Sequence, residues 1–503
     1  MKIVNIMNFI RRGKDKGEEL QKIMFETTKA EFELIKSYGY ESTFLIEYDA
    51  LIAPEYIEFF KSNIDEKTEI GLWYEIVRPL TDKAGIEWRG DKDREWDWHI
   101  IPGFSMAYSQ KERELLADEA MNCFKNIYGF YPKTVASWLI DTYTINYLSE
   151  KYDISAFAIC RDQTNTDAYT LIGGYFNQAY YPSKRNMFTP AQTKGLRGKT
   201  PVFRLLGPDP IHNYDKNKYI KNPRFKDYIL PPTLEPIWDY GNDAEVISYL
   251  FNTYYKNESL QFAYSQLGQE NGFGGYGNGI EKITDGLKRQ FDEIKKYPDV
   301  KIMKMSNAGE LFKKTFDDTP VTSVCALSEF DGDKNIQSVY YDCKNYTANI
   351  FRFDNKIFIR SLYLFDENVY DSYYETPCKT WDALYENLPV VDTLIWEENS
   401  GLVLDNEATA FEVSKQSETE LEVKWNNKCV VFSPDKIAFK NIDAILDTTG
   451  SKAEIKIDKN DIRYTYKEHS YYIKTENCDI KEEGEKISLI SNGTSTLYLQ
   501  TNG

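Results

Sequence analysis

Histidine is the scarcest chemical resource in this chain. Its 503 residues include only 3, His99, His212 and His469. No HxH, HxxxH or HxxE pair brings two of them together, so metal-ligand spacing is weak. The 7 cysteines form no CxxC pair. That excludes a zinc-knuckle spacing, and the odd, scattered count suits free thiols in a reducing compartment. Positive charge is short as well, with 61 Lys and Arg against 79 Asp and Glu and a net charge of −18. Phosphate binding needs a cationic surface, so nucleic acid and anionic membranes are excluded as main partners. No apolar run reaches the length of a membrane-spanning helix. The N-terminal stretch MKIVNIMNFIRRGKDKGEE puts its apolar run before its arginines, the reverse of a secretory leader. It reads as a buried first strand, and the expected location is the cytoplasm. There is no G-x-S-x-G nucleophile elbow, and GGYGNG lacks the lysine of a phosphate loop.

Aromatic residues are plentiful, at 15% of the chain, with 38 Tyr and 9 Trp. A coding bias toward Tyr, Lys, Asn and Ile explains the tyrosines at least as well as sugar stacking does. The tryptophans, several of them next to acids, point toward carbohydrate.

Residues 1 to about 318 alternate between short apolar runs and helix-period segments. The alternation begins with a strand from Lys2 and an amphipathic helix from Glu18 to Tyr38, closed by Gly39. The stretch Gly129 to Gln163, GFYPKTVASWLIDTYTINYLSEKYDISAFAICRDQ, reads as strand, helix, strand. Seven or so such repeats predict a (β/α)7-8-type barrel. From 319 to 503 the helical period disappears, and alternating runs such as YTANIFRFD and KIFIRSLYLF predict an antiparallel β-sandwich. The long stretch from Asp162 to Lys199 has little periodicity, and its aromatics and Gly173-Gly174 mark an ordered, functional loop.

Strand carboxyl ends face the ligand crevice in such barrels, so polar residues there are candidates. Glu47, Asp49, Glu75, His99, Asp141, Arg161, Asp162, Arg204, Asp209 and Glu270 all fall at such ends. Two acids at the correct separation suffice for glycoside hydrolysis. Asp141 ends the clearest apolar run and is the candidate nucleophile, although it also suits the N-cap of the helix that follows. Glu270, in the glycine-rich GQENGFGG, is the candidate general acid/base. Arg161, Asp162 and His99 would hold sugar hydroxyls, with Trp98, Tyr175 and Tyr180 as ring faces. The competing chemistry is a divalent metal such as zinc on Asp49, His99 and His212; the first reading calls for no cofactor.

The Gly129–Gln163 stretch resembles the (β/α)-barrel superfamily that joins polysaccharide deacetylases with the family-57 and family-38 glycoside hydrolases. In family 57 a G-x-x-P, W-x-P-E pattern carries the nucleophile, and family 38 has an aspartate in a W-x-I-D context that SWLID matches better. GQENGFGG resembles the D-x-E-x-F-G stretch of family 57. Strand one, NIMNFIRR, lacks the H-x-H-Q-P and H-x-D patterns of these families. The resemblance implies a carbohydrate-active enzyme cleaving an oligosaccharide with two carboxylates. A metal-dependent carbohydrate deacetylase and a non-catalytic sugar-binding protein are the alternatives.

Overall fold

A computed structural model of the chain describes residues 1–164, 167–212, 231–395 and 401–501. Five parallel strands come first: β1 Lys2–Ile10, β2 Ser42–Ile46, β3 Thr68–Trp73, β4 Thr134–Ala136 and β5 Ala156–Ile159. They lie side by side in that order, and Val202–Arg204 extends the row beyond β5. On the other flank of β1, Ala263–Leu267 pairs in parallel. The result is a nearly closed seven-stranded parallel barrel, with the short Lys301–Ile302 also paired to β1. β1 is buried along almost its whole length, as expected of a strand covered on both faces.

Helices wrap the barrel where the sequence period places them. α1 spans Glu18–Tyr38 and ends on Gly39 at φ 69°, a left-handed stop that a residue without Cβ adopts freely. The helix Gln110–Tyr128 opens with a full capping box, Ser109 with Glu112. Two expectations shift. The run from Val135 to Ile140 is regular strand only as far as Ala136. The long loop after β5 contributes two short strands, Tyr169–Ile172 and Ala179–Tyr180.

The C-terminal part is built on a curled antiparallel sheet with its own core of alternating inward residues. This is the β-sandwich architecture expected from the alternating runs. One segment of it returns to the barrel. Ala383–Glu386 pairs in parallel with Tyr169–Ile172, and the residues before it form a strap across the barrel's face. Cys378 N donates to Met106 O at 2.8 Å, and Ile100 N donates to Trp381 O at 3.1 Å.

Candidate active site

At the carboxyl ends of the barrel strands lies a cleft of about 460 Å³. Arg11, the first residue after β1, sits at its base and is almost fully buried. Its Nη2 lies 2.9 Å from Glu75 Oε1 and 3.7 Å from Glu270 Oε2, and its Nε lies 3.6 Å from Glu47 Oε1. Burial opposes the guanidinium charge, but these carboxylates outweigh it and hold Arg11 more firmly protonated than a free arginine. Glu75 lies two residues past the end of β3 and also accepts from Trp96 Nε1 at 2.7 Å. Burial raises its carboxyl above the usual range, with Arg11 pulling the other way.

Glu270 follows the strand Ala263–Leu267 and faces the cleft. Local backbone contacts fix its position. Gly268 adopts φ 91°, and a Cβ there would lie 2.2 Å from Met7 O, so this close crossing over β1 requires glycine. Asn271 then ties the loop down. Its Oδ1 accepts from Arg11 N at 3.0 Å and its Nδ2 donates to Arg11 O at 2.9 Å. Gly272 leaves room for the carboxylate, since a Cβ there would lie 2.6 Å from Glu270 Oε1.

A second acid, Glu235, lines the same cleft. It stands between Pro232 and Pro236, and its segment is anchored by Gln269 Oε1 accepting from Ile237 N at 2.7 Å. Gln290 Nε2 donates to Leu234 O at 2.8 Å. Burial pushes the Glu235 carboxyl up to about 7, with Thr233 and Arg161 opposing and Glu270 adding to the rise. A carboxyl protonated near neutrality beside a second carboxylate is the arrangement that separates an acid from its partner. Tryptophans form the walls: Trp96, Trp98, Trp138 and Trp238. Trp138 is held from below, packed at 5.1 Å against Trp73, which stacks on Phe9 at 4.3 Å.

Of the residues expected in the site, Glu75, Trp98, Arg161 and Glu270 line this cleft. Asp141 does not, and its expected role as nucleophile is corrected. It is fully buried and its oxygens accept from Arg113 Nη1 at 2.7 Å, Ser105 Oγ at 2.5 Å, and Thr144 N and Oγ1 at 3.1 and 2.7 Å. Those donors occupy its lone pairs; it is the N-cap of Thr142–Lys151.

Tyr175 and Tyr180 are core residues rather than sugar platforms. The Tyr175 hydroxyl donates to Pro320 O, and Tyr180 donates to Met187 O at 2.8 Å. Arg204 and Asp162 form a buried ion pair at 2.5 Å, and Asp162 also accepts from Gly174 N at 2.8 Å. That pair fastens the loop after β5 to the barrel wall instead of holding substrate. Asp209 is buried, accepting from Tyr249 at 2.7 Å and from Ile211 N at 2.9 Å. Glu47 and Asp49 lie beneath the cleft, where Asp49 accepts from Arg12 N and Gly13 N at 3.1 and 2.9 Å. His99 stacks on Trp98 and pairs with Asp97 at 2.7 Å.

The expected metal trio is dispersed. Asp49 is engaged by backbone N–H groups and His99 by Asp97, while His212 faces Glu329 at 3.1 Å, on the sandwich part. Among the described residues, no three His, Cys, Asp or Glu side chains are grouped to hold a metal ion. Glu235 was missed. Its signal in PPTLEPIWDY is an acid held between prolines and followed by a tryptophan.

No family model matches the sequence. No curated protein matches it either. Solved structures do. A chain from Parabacteroides distasonis with the provisional designation glycoside hydrolase/deacetylase aligns with a TM-score of 0.55 at 14% identity, covering 76% of this chain and 90% of that one. The 4-alpha-glucanotransferase of Thermococcus litoralis aligns over 100% of this chain and 98% of its own, at 10% identity and a TM-score of 0.35. A GH57 branching enzyme from Thermococcus kodakaraensis aligns over 63% and 71%, at 9% identity and a TM-score of 0.32. The chain is similar in fold to that Parabacteroides distasonis chain, the architecture that the resemblance at Gly129–Gln163 implied.

Proposed function

We propose that this protein hydrolyses glycosidic bonds of an oligosaccharide, with Glu235 as proton donor and Glu270 as the second carboxylate. The observation that carries this reading is the pair itself. Glu235, raised to about 7 by burial, shares with Glu270 a cleft walled by four tryptophans. Glu235 gives its proton to the leaving glycosidic oxygen as the bond to the anomeric carbon breaks. Glu270 faces the positive charge that develops on the sugar ring, and water supplies the new hydroxyl, its remaining proton passing to one of the two carboxylates. In this reading Arg161 and Glu75, which line the cleft, hold ring hydroxyls, and the faces of Trp98, Trp138 and Trp238 hold the ring itself. The designation of the Parabacteroides distasonis chain names glycoside hydrolysis alongside deacetylation.

Release of reducing ends, measured on natural and on activated aryl glycosides, tests the assignment. Glu235→Gln should lower kcat by about 10²–10⁴-fold on natural substrates. It should cost far less on aryl glycosides, whose leaving groups depart without a proton. Glu270→Gln should abolish turnover of both, and EDTA should leave the wild type unaffected. Full activity of both variants, or a chelator-sensitive deacetylation in place of cleavage, sinks the reading.

A further inference from the structure

Two continuous aromatic paths leave the cleft over opposite rims. On one side, Trp98 lines the cleft and stacks on His99 with ring centroids 4.0 Å apart, and His99 meets Trp381 edge-on at 5.2 Å. Trp98 and Trp381 are 43% and 52% exposed, the two exposed tryptophans among the described residues. Trp381 arrives on the strap from the C-terminal part, and its carbonyl accepts from Ile100 N, so its backbone is fixed while its ring stands in solvent. On the other side, Trp238 contacts Phe273 at 5.5 Å and Phe273 contacts Tyr276 at 5.6 Å. Tyr276 is 62% exposed.

The barrel's strand order shows why these rims oppose each other. The Trp98 loop follows β3, and the Tyr276 loop follows the strand Ala263–Leu267. In the row Ala263–Leu267, β1, β2, β3 those two strands are three places apart, about as far as a ring of seven permits. Exposed aromatic faces continuous with the lining of a cleft mark a ligand-binding groove. Glu235 and Glu270 lie in the cleft between the two paths. By contrast, the ring of Trp96 is already occupied, with Arg11 4.7 Å and Lys16 5.0 Å from its centroid.

The geometry points to a cleft that binds an internal stretch of a sugar chain, with outer rings stacking on Trp381 at one end and Tyr276 at the other. This rests on the glycosidic reading for the sugar class, and adds that cleavage falls within the chain rather than at its tip. Both rings remain more than half open: Trp381 is anchored through its carbonyl and meets His99 edge-on, and Tyr276 meets the ring of Phe273.

The test is binding to the full chain carrying Glu235→Gln, read by tryptophan fluorescence. The probes are malto-, cello-, xylo- and chito-oligosaccharides, each as disaccharide and hexasaccharide. In at least one series the hexasaccharide should bind roughly tenfold tighter than the disaccharide. Adding Trp381→Ala or Tyr276→Ala should remove most of that gain, with a much smaller loss for the disaccharide and an unchanged melting temperature. Equal affinity for both lengths, an equal loss at both lengths, or no binding in any series overturns the inference. Reducing-end release by the wild type separates the two readings. Length preference without cleavage leaves the aromatic shelves standing and removes the hydrolase; cleavage without length preference does the reverse.

Discussion

Glycine at position 272 sets where the Glu270 carboxylate can sit. A methyl group there would fall 2.6 Å from Glu270 Oε1 and 3.5 Å from its Cδ, with Met24 Cε at 3.6 Å. The group that yields is the end of a flexible side chain, so Gly272→Ala should barely move the melting temperature. It should still lower kcat by about 10²-fold, because a displacement near 1 Å at a reacting group has that effect. Equal losses of stability and activity would instead show the loop itself failing. Glu235 gives a second residue-level expectation. A proton donor must carry its proton, and burial lifts this carboxyl from 4.5 to about 7. The wild-type kcat/KM should therefore fall as pH rises through about 7, and that limb should vanish in Glu235→Gln when aryl glycosides are assayed. A limb unmoved by the substitution would assign the titration to another group.

At the level of elements, the Asp141 cluster shows what a strand-end acid can do without touching substrate. It caps Thr142–Lys151, pairs with Arg113 on Gln110–Tyr128, and accepts from Ser105. Arg113 in turn donates to Tyr373 O on the strap at 2.8 Å, and Thr142 Oγ1 donates to Asp371 at 2.7 Å. One buried carboxylate thus joins two helices and the returning segment. Asp141→Asn leaves a buried guanidinium without its counter-charge and should destabilise by about 3–5 kcal/mol in urea unfolding. The fraction that remains folded should keep its kcat. A stable variant without turnover would restore Asp141 to the chemistry.

The sequence carried the barrel's rhythm, its helix caps and the βαβ unit, because period and capping are local signals. Through its glycines it also carried the place of Glu270 at the cleft. It could not tell Asp141 from Glu235. Both are acids beside apolar, tryptophan-containing runs, and what separates them is Arg113, 28 residues away, which neutralises one of them. Nor could it show that Tyr175 and Tyr180 face inward, because the loop is covered by the barrel wall on one side and by the sandwich on the other.

The molecule as a whole depends on polar groups buried where the barrel meets the sandwich. Arg360 reaches from the sheet to Ile211 O and Pro210 O, both at 2.8 Å. Nearby, Asp342 accepts from Phe176 N at 3.0 Å. Burial pushes the Asp342 carboxyl from 3.8 up to about 8, with the hydrogen bonds from Phe176 and Thr347 opposing and Asp162 adding to the rise. The folded protein therefore keeps a proton here that the unfolded chain releases above about pH 4. Stability from this group is full below the unfolded value and is lost as pH rises toward about 8, after which both states are ionised and the dependence ends. Asp342→Asn keeps the acceptor for Phe176 N but carries no charge to desolvate. It should raise the midpoint of urea unfolding at pH 9 and change it little at pH 4, flattening the decline between them. A variant whose stability tracks the wild type at both pH values would show that Asp342 does not govern the alkaline loosening of this interface.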